Sequence, residues 1–113
     1  MSKSATEYIN HILDELLFLE REMASITEKQ FMHDELLERA CTRSLEIIGE
    51  AVKQIQESYR KEHPEIDWKS FAGLRDKLIH HYFGVDYALV WDVIKNELPD
   101  LKKKLLPLVE KNS

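Results

Sequence analysis

The chain has one cysteine, Cys41, in 113 residues. It can form no internal disulfide and lacks the companions of a cysteine-rich zinc site. Three glycines and three prolines are too few for the many turns of an all-β fold. No apolar run approaches the roughly 20 residues of a membrane-spanning helix, and no signal-peptide apolar region opens the sequence. These absences set the expectation of a soluble, cytoplasmic protein. Positive charge is also short: 16 Lys and Arg face 21 Asp and Glu, a formal net charge of −5 with His neutral. A protein that holds nucleic acid by broad phosphate neutralisation is basic. Any contact with RNA or DNA must here be local or shared with a partner. The 43% hydrophobic content is too high for a disordered chain, and the length fits one domain spanning residues 1–113.

Helical periodicity accounts for nearly the whole chain. Ser4-Ala5-Thr6-Glu7 reads as a capping box, followed by the stripe Tyr8/Ile9, Ile12/Leu13, Leu16/Leu17. This helix is expected to fade near Ser25. Thr27-Glu28-Lys29-Gln30 is a second capping box, with Ile26 and Phe31 at the positions of a hydrophobic staple. Asp34 is a competing N-cap. From Leu37 a long stripe runs through Cys41, Ser44, Ile48, Val52, Ile55 and Tyr59, and Pro64 is expected to end it. Asp67 begins a third helix carrying Trp68, Phe71, Leu74, Leu78 and Ile79, with Gly84 as its expected stop. Asp86 caps a fourth with Tyr87, Val90, Trp91, Ile94 and Leu98. Pro99 suits the start of a fifth segment, made basic by Lys102, Lys103 and Lys104, which Pro107 is expected to kink or end. The sum is an all-α fold, an up-and-down bundle of four to five helices.

The densest group of chemically capable side chains is Arg75-Asp76-Lys77-Leu78-Ile79-His80-His81-Tyr82. Arg offers a fixed cation and bidentate hydrogen bonds to phosphate. His takes or gives a proton near neutral pH. The pair suits attack of a ribose 2′-hydroxyl on the adjacent phosphate without a metal. Geometry constrains the idea. Five residues on a straight helix turn about 500°, leaving Arg75 and His80 about 140° apart. A working site therefore needs the helix to loosen near His80, which Gly84 permits, or a second copy of the chain to complete the pocket. The second route predicts a symmetric homodimer. Taken alone, Arg, Lys and His near a helix terminus also fit simple compensation of the helix dipole.

The spacing Arg75, four residues, His80, one residue, Tyr82 resembles the Arg-x4-His-x-Tyr signature of the HepT-like branch of the HEPN superfamily. The flanks are similar in order as well: Arg43 to Ala51, Pro64 to Trp68, Leu78 to Asp86, Val90-Trp91 and Leu98-Pro99. The resemblance implies a HEPN-like helical bundle and a metal-independent endoribonuclease toxin of a type VII toxin–antitoxin pair. It implies Arg75 and His80 as catalytic residues, with Asp76 and Tyr82 auxiliary. The implied partner is a MntA-like nucleotidyltransferase antitoxin that transfers AMP from ATP onto Tyr82. It also implies a homodimer whose motif residues converge in a cleft between protomers. No cofactor or metal is called for.

Other residues read as structural. Glu50 is placed either as an orienting contact for Arg75 or as a solvated helix residue. His11, His33 and His63 adjoin no second ligand at metal spacing and are expected at the surface. Trp68 and Trp91 lie on apolar stripes and are expected in the core or a dimer contact. The alternative function is a non-catalytic helical subunit that docks a separate nucleotidyltransferase.

Overall fold

The computed structural model describes residues 4–80 and 84–110, with His80 defined by its backbone. The regular elements of the described residues are helices apart from one two-residue ladder. Three long elements dominate: α1 (Ala5–Met23), α3 (Glu35–Gln54) and α8 (Leu98–Glu110). Short helices α2 (Glu28–Met32), α4 (Glu57–Glu62), α5 (Trp68–Ala72), α6 (Leu74–Leu78) and α7 (Tyr87–Asp92) fill the connections. Among the described residues no helix is long and apolar enough to cross a membrane.

The helix starts follow the cap residues. Ser4 accepts a hydrogen bond from the Glu7 amide. Thr27 and Gln30 complete a reciprocal box, at 3.1 and 2.9 Å. Asp34, Asp67 and Asp86 each accept from the amide three residues on. Each cap satisfies an amide that the first helical turn leaves without a partner.

α1 lies antiparallel to α3. Glu15 accepts a 2.8 Å hydrogen bond from Ser44, whereas Tyr8 and His11, earlier in α1, line a hollow with Ile47, Glu50 and Gln54, later in α3. α8 runs back along the other side of α1. Lys95 donates to the Met23 carbonyl at 2.7 Å, and Lys102 pairs with Glu20 at 2.6 Å. Ile9, Ile12, Leu16, Leu19, Leu45, Ile48, Leu101 and Leu105 form the centre of the core. Their burial removes most of the apolar stripe of each helix from water.

Four expected boundaries differ. The long stripe does not reach Pro64. α3 ends at Gln54, and Ile55 turns extended while burying its side chain, so Tyr59 belongs to the separate helix α4. The third helix is broken at Gly73 into α5 and α6. It stops at Leu78, six residues before Gly84. The fourth and fifth segments are one rod, because a π-helical turn, Val93–Glu97, joins α7 directly to α8. Leu98 donates to the Val93 carbonyl five residues back. That widened turn sits where the Pro99 ring would crowd the carbonyl four residues before it, so the helix accommodates a proline that would otherwise break it. Pro107 lies inside α8, which continues to Glu110.

Candidate active site

Buried Leu74 and Leu78, one turn apart, anchor α6, and the residues between them, Arg75, Asp76 and Lys77, are exposed. The anchor depends on Gly49 of α3. A Cβ there would lie 3.1 Å from the Phe71 carbonyl oxygen, 3.7 Å from that of Ala72 and 3.8 Å from the Leu74 Cβ. Absence of a side chain thus lets α3 seat the α5–α6 corner that presents Arg75. Lys77 is tied to Glu97 of the π turn at 3.3 Å, fixing α6 against the rod behind it. Arg75 has no ion-pair partner among the described residues, so its charge is open to a ligand.

Beyond Leu78 the chain changes conformation. The Ile79 amide closes the last helical bond to the Arg75 carbonyl. Ile79 itself is extended, with φ −111° and ψ 120°. β1 (Ile79–His80) pairs antiparallel with β2 (Gly84–Val85), in register Ile79 with Val85 and His80 with Gly84. The Asp86 amide donates to the Leu78 carbonyl at 2.8 Å, locking the base of the ladder. Gly84 has φ +73°, a left-handed conformation that side chains with a Cβ resist. Asp86 then caps α7. The helix loosening required for Arg75 and His80 to share a site is therefore present: His80 is not on the α6 helical frame.

Arg75 and Asp76 are exposed on α6, and the His80 backbone is in β1. Tyr82, with His81 and Phe83, lies outside the described residues. Glu50 does not orient Arg75; it is exposed and pairs with Lys53 at 3.6 Å. His11 and His33 are at the surface, as expected. His63 is half-buried, its ring 4.6 Å from that of Tyr59 and its Nδ1 3.4 Å from Glu65. Trp68 is buried and donates to the His63 carbonyl at 2.9 Å. Trp91 packs on Phe31, with the Lys95 ammonium 4.9 Å above its ring. Among the described residues no group of three or more His, Cys, Asp or Glu is placed to hold a metal ion. The basic stretch is largely neutralised within the chain, Lys102 by Glu20 and Lys104 by Asp100.

Sequence reasoning missed the Lys77–Glu97 tie and the ladder. Ile79 and Val85, β-branched residues six apart with Gly84 before the second, were the signal for the second.

Burial rather than catalysis explains the shifted acids. Desolvation pushes the Cys41 thiol up to about 11, and desolvation, with Glu62 and Glu65 nearby, raises Tyr59. Glu38 at the start of α3 is also raised, first by desolvation and then by Glu35 and Asp34.

The profile of the ribonuclease HepT-like family matches residues 7–108. A protein of Caldanaerobacter subterraneus subsp. tengcongensis, named as a candidate RNase, is 45% identical over 109 residues, 96% of this chain and 97% of its own length. A Thermococcus cleftensis protein named as a probable ribonuclease HepT is 40% identical over 104 residues, 92% of this chain and 94% of its own. A Methanocaldococcus jannaschii protein, named as a gamma-glutamylcyclotransferase and candidate RNase, is 41% identical over 110 residues, 97% of this chain and 50% of that longer protein. No solved structure gives a significant match. An exposed arginine, a helix that ends before the histidine and a family match over almost the full length agree: the chain belongs to the ribonuclease HepT-like family, and its enzymatic class is that of a ribonuclease.

Proposed function

We propose that this ribonuclease is the endonucleolytic toxin of a type VII toxin–antitoxin pair, built as a single HepT-like domain and active as a homodimer. Arg75 binds the scissile phosphate through its guanidinium and neutralises the charge that builds on the non-bridging oxygens. His80 accepts the proton of the ribose 2′-hydroxyl as its oxygen attacks phosphorus. The P–O5′ bond breaks, leaving a 2′,3′-cyclic phosphate on one fragment. The 5′-oxygen departs as a hydroxyl on the other, taking its proton from a second acid, which a two-fold dimer would supply as another His80. The nucleophile belongs to the substrate, so the step needs no metal-bound water. Asp76, beside Arg75, and Tyr82, two residues beyond His80, assist.

The observation that carries this reading is the end of α6 at Leu78. It separates His80 from the helical frame of Arg75 and removes the angular obstacle to a shared site. A nucleotidyltransferase antitoxin is the proposed partner, silencing the toxin by transferring AMP from ATP onto Tyr82. The added phosphodiester would capture Arg75, and the adenosine would block the RNA path. The test is expression in cells without an antitoxin. Wild-type chain is expected to arrest growth, and soluble, folded Arg75→Ala and His80→Ala chains to leave growth normal. Full toxicity from His80→Ala would remove it from the mechanism.

A further inference from the structure

The apolar residues of the α7–α8 rod show no break at the π turn; the residue that stands out there is an acid. Seven residues of an α-helix turn about 700°, so on a straight helix Glu97 would lie within about 20° of Val90, between Val93 and Ile94. Those three side chains are buried, and a carboxylate on their line would be costly to bury. The π turn prevents this. It closes its hydrogen bond over five residues rather than four, so Glu97 falls behind the apolar line and stands at its edge, with 30% of its side chain exposed. From there it accepts a 3.3 Å hydrogen bond from the Lys77 ammonium. The neighbouring acids are engaged elsewhere: Asp100 holds Lys104 at 2.9 Å, and Asp92 accepts from Asn96 at 2.6 Å.

Lys77 belongs to the helix that presents Arg75. It follows Arg75 by two residues, about 200° around α6, so the pair grips the back of α6 while Arg75 faces outward. Leu74 and Leu78 anchor this five-residue helix along one line, between Gly73 and the extended Ile79. Rotation about that line is the freedom left, and the bond from Lys77 to Glu97 closes it. A rotation of about 20° carries a side-chain end 5–6 Å from the axis through about 2 Å. A misplacement of about 1 Å in a catalytic arrangement can cost about 10²-fold in rate.

We infer that Glu97 is a positioning residue for RNA cleavage: through Lys77 it fixes the rotation of α6 and so aims the Arg75 guanidinium at the scissile phosphate. The inference rests on the assignment of Arg75 as the phosphate-binding residue. Glu97 itself touches no substrate. It governs how Arg75 meets the charge that builds on the phosphate, so its loss falls on turnover rather than on substrate binding.

Steady-state cleavage of a single-stranded oligoribonucleotide of mixed base sequence tests this, well below the melting temperature and with each chain shown to be folded by circular dichroism. Glu97→Gln and Lys77→Gln are each expected to lower kcat roughly tenfold and to leave KM within about twofold. The Lys77→Gln/Glu97→Gln chain should be no slower than either single variant, because the same link is lost in all three. Lys77→Arg keeps the link and should keep the wild-type kcat. Lys102→Gln breaks the ion pair with Glu20 instead and should also leave kcat unchanged, since a pair that only stabilises the fold does not set the rate of the folded chain. Wild-type kcat in either Glu97→Gln or Lys77→Gln, or multiplied losses in the double variant, overturns the inference. Arg75→Ala is measured alongside. If it is inactive while both Gln variants cut at the wild-type rate, the positioning role is refuted and the Arg75 reading stands. If Arg75→Ala cuts at the wild-type rate, or the wild type cuts nothing, the Arg75 reading itself fails and takes the inference with it.

Discussion

His80 lies opposite Gly84 across a two-residue antiparallel ladder, not on the helix that presents Arg75. Gly84 favours the pairing through its positive φ of 73°, and the 2.8 Å bond from the Asp86 amide to the Leu78 carbonyl holds the base of the ladder. The relation between the two motif residues is thus set by where a helix ends, and the spacing of four residues between them reflects a helical turn followed by an extended step.

Substitution at Gly84 should therefore affect catalysis through the backbone. A Cβ there meets nothing within 4 Å, so the penalty of Gly84→Val is conformational, about 1–2 kcal/mol. Gly84→Asn should cost less, since Asn tolerates the left-handed region. Thermal melts of the two variants should rank in that order, and RNA cleavage should fall with the same ranking. Equal melts and equal rates for wild type and Gly84→Val would show that the ladder does not position His80.

Gly49 is a packing requirement of a different kind. The Ala side chain gains up to about 1 kcal/mol of helix propensity over Gly, which offsets part of the clash with the Phe71 carbonyl at 3.1 Å. Val keeps the clash and adds bulk. Gly49→Val should destabilise the fold by at least about 2 kcal/mol, lowering the melting temperature by roughly 8 °C, with Gly49→Ala much milder. A Gly49→Val melt within 2 °C of wild type would contradict the close approach of α3 to the α5–α6 corner.

The starts of the helices were legible in the sequence because they are local: Ser4, Thr27, Asp34, Asp67 and Asp86 each bond an amide three residues away. The ends at Gln54 and Leu78 were not. Ile55 leaves the helix to bury its side chain, and the Leu78 carbonyl bonds to Asp86, so each end is decided by residues distant in space or sequence. The continuous rod through Pro99 was also hidden, since a π turn leaves no mark in apolar periodicity. For the candidate site, Arg75 and His80 were singled out by residue type and spacing, and the need for a helix break between them followed from angle alone.

Cys41 provides a pH test of the core. Its side chain is wholly buried, and its thiol is raised from 9.0 to about 11. The folded state thus favours the protonated thiol more than the unfolded state does. The corresponding stability is fully present below pH 9 and is lost as pH rises through about 11. That loss is on the order of 2 kcal/mol. Denaturant unfolding at pH 8 and pH 10.5 should show a smaller decline in Cys41→Ala than in wild type. A thiol reagent at pH 8 should leave the native protein unmodified; rapid labelling would contradict the burial.

Tyr82 is expected to be the acceptor of AMP. Mass spectrometry of chain co-expressed with a cognate nucleotidyltransferase should show AMP-sized increments on the peptide containing Tyr82, and none at that peptide in Tyr82→Phe. Modification and silencing of Tyr82→Phe at the wild-type level would place the switch elsewhere.

The most direct measurement is end-group analysis of RNA cut by the purified chain in the presence of EDTA. Attack by the 2′-hydroxyl predicts 2′,3′-cyclic phosphate and 5′-hydroxyl ends, a rate insensitive to EDTA, and a loss of 10²–10⁴-fold in His80→Ala. Fragments with 5′-phosphate ends, or cleavage abolished by EDTA, would contradict the Arg75–His80 mechanism.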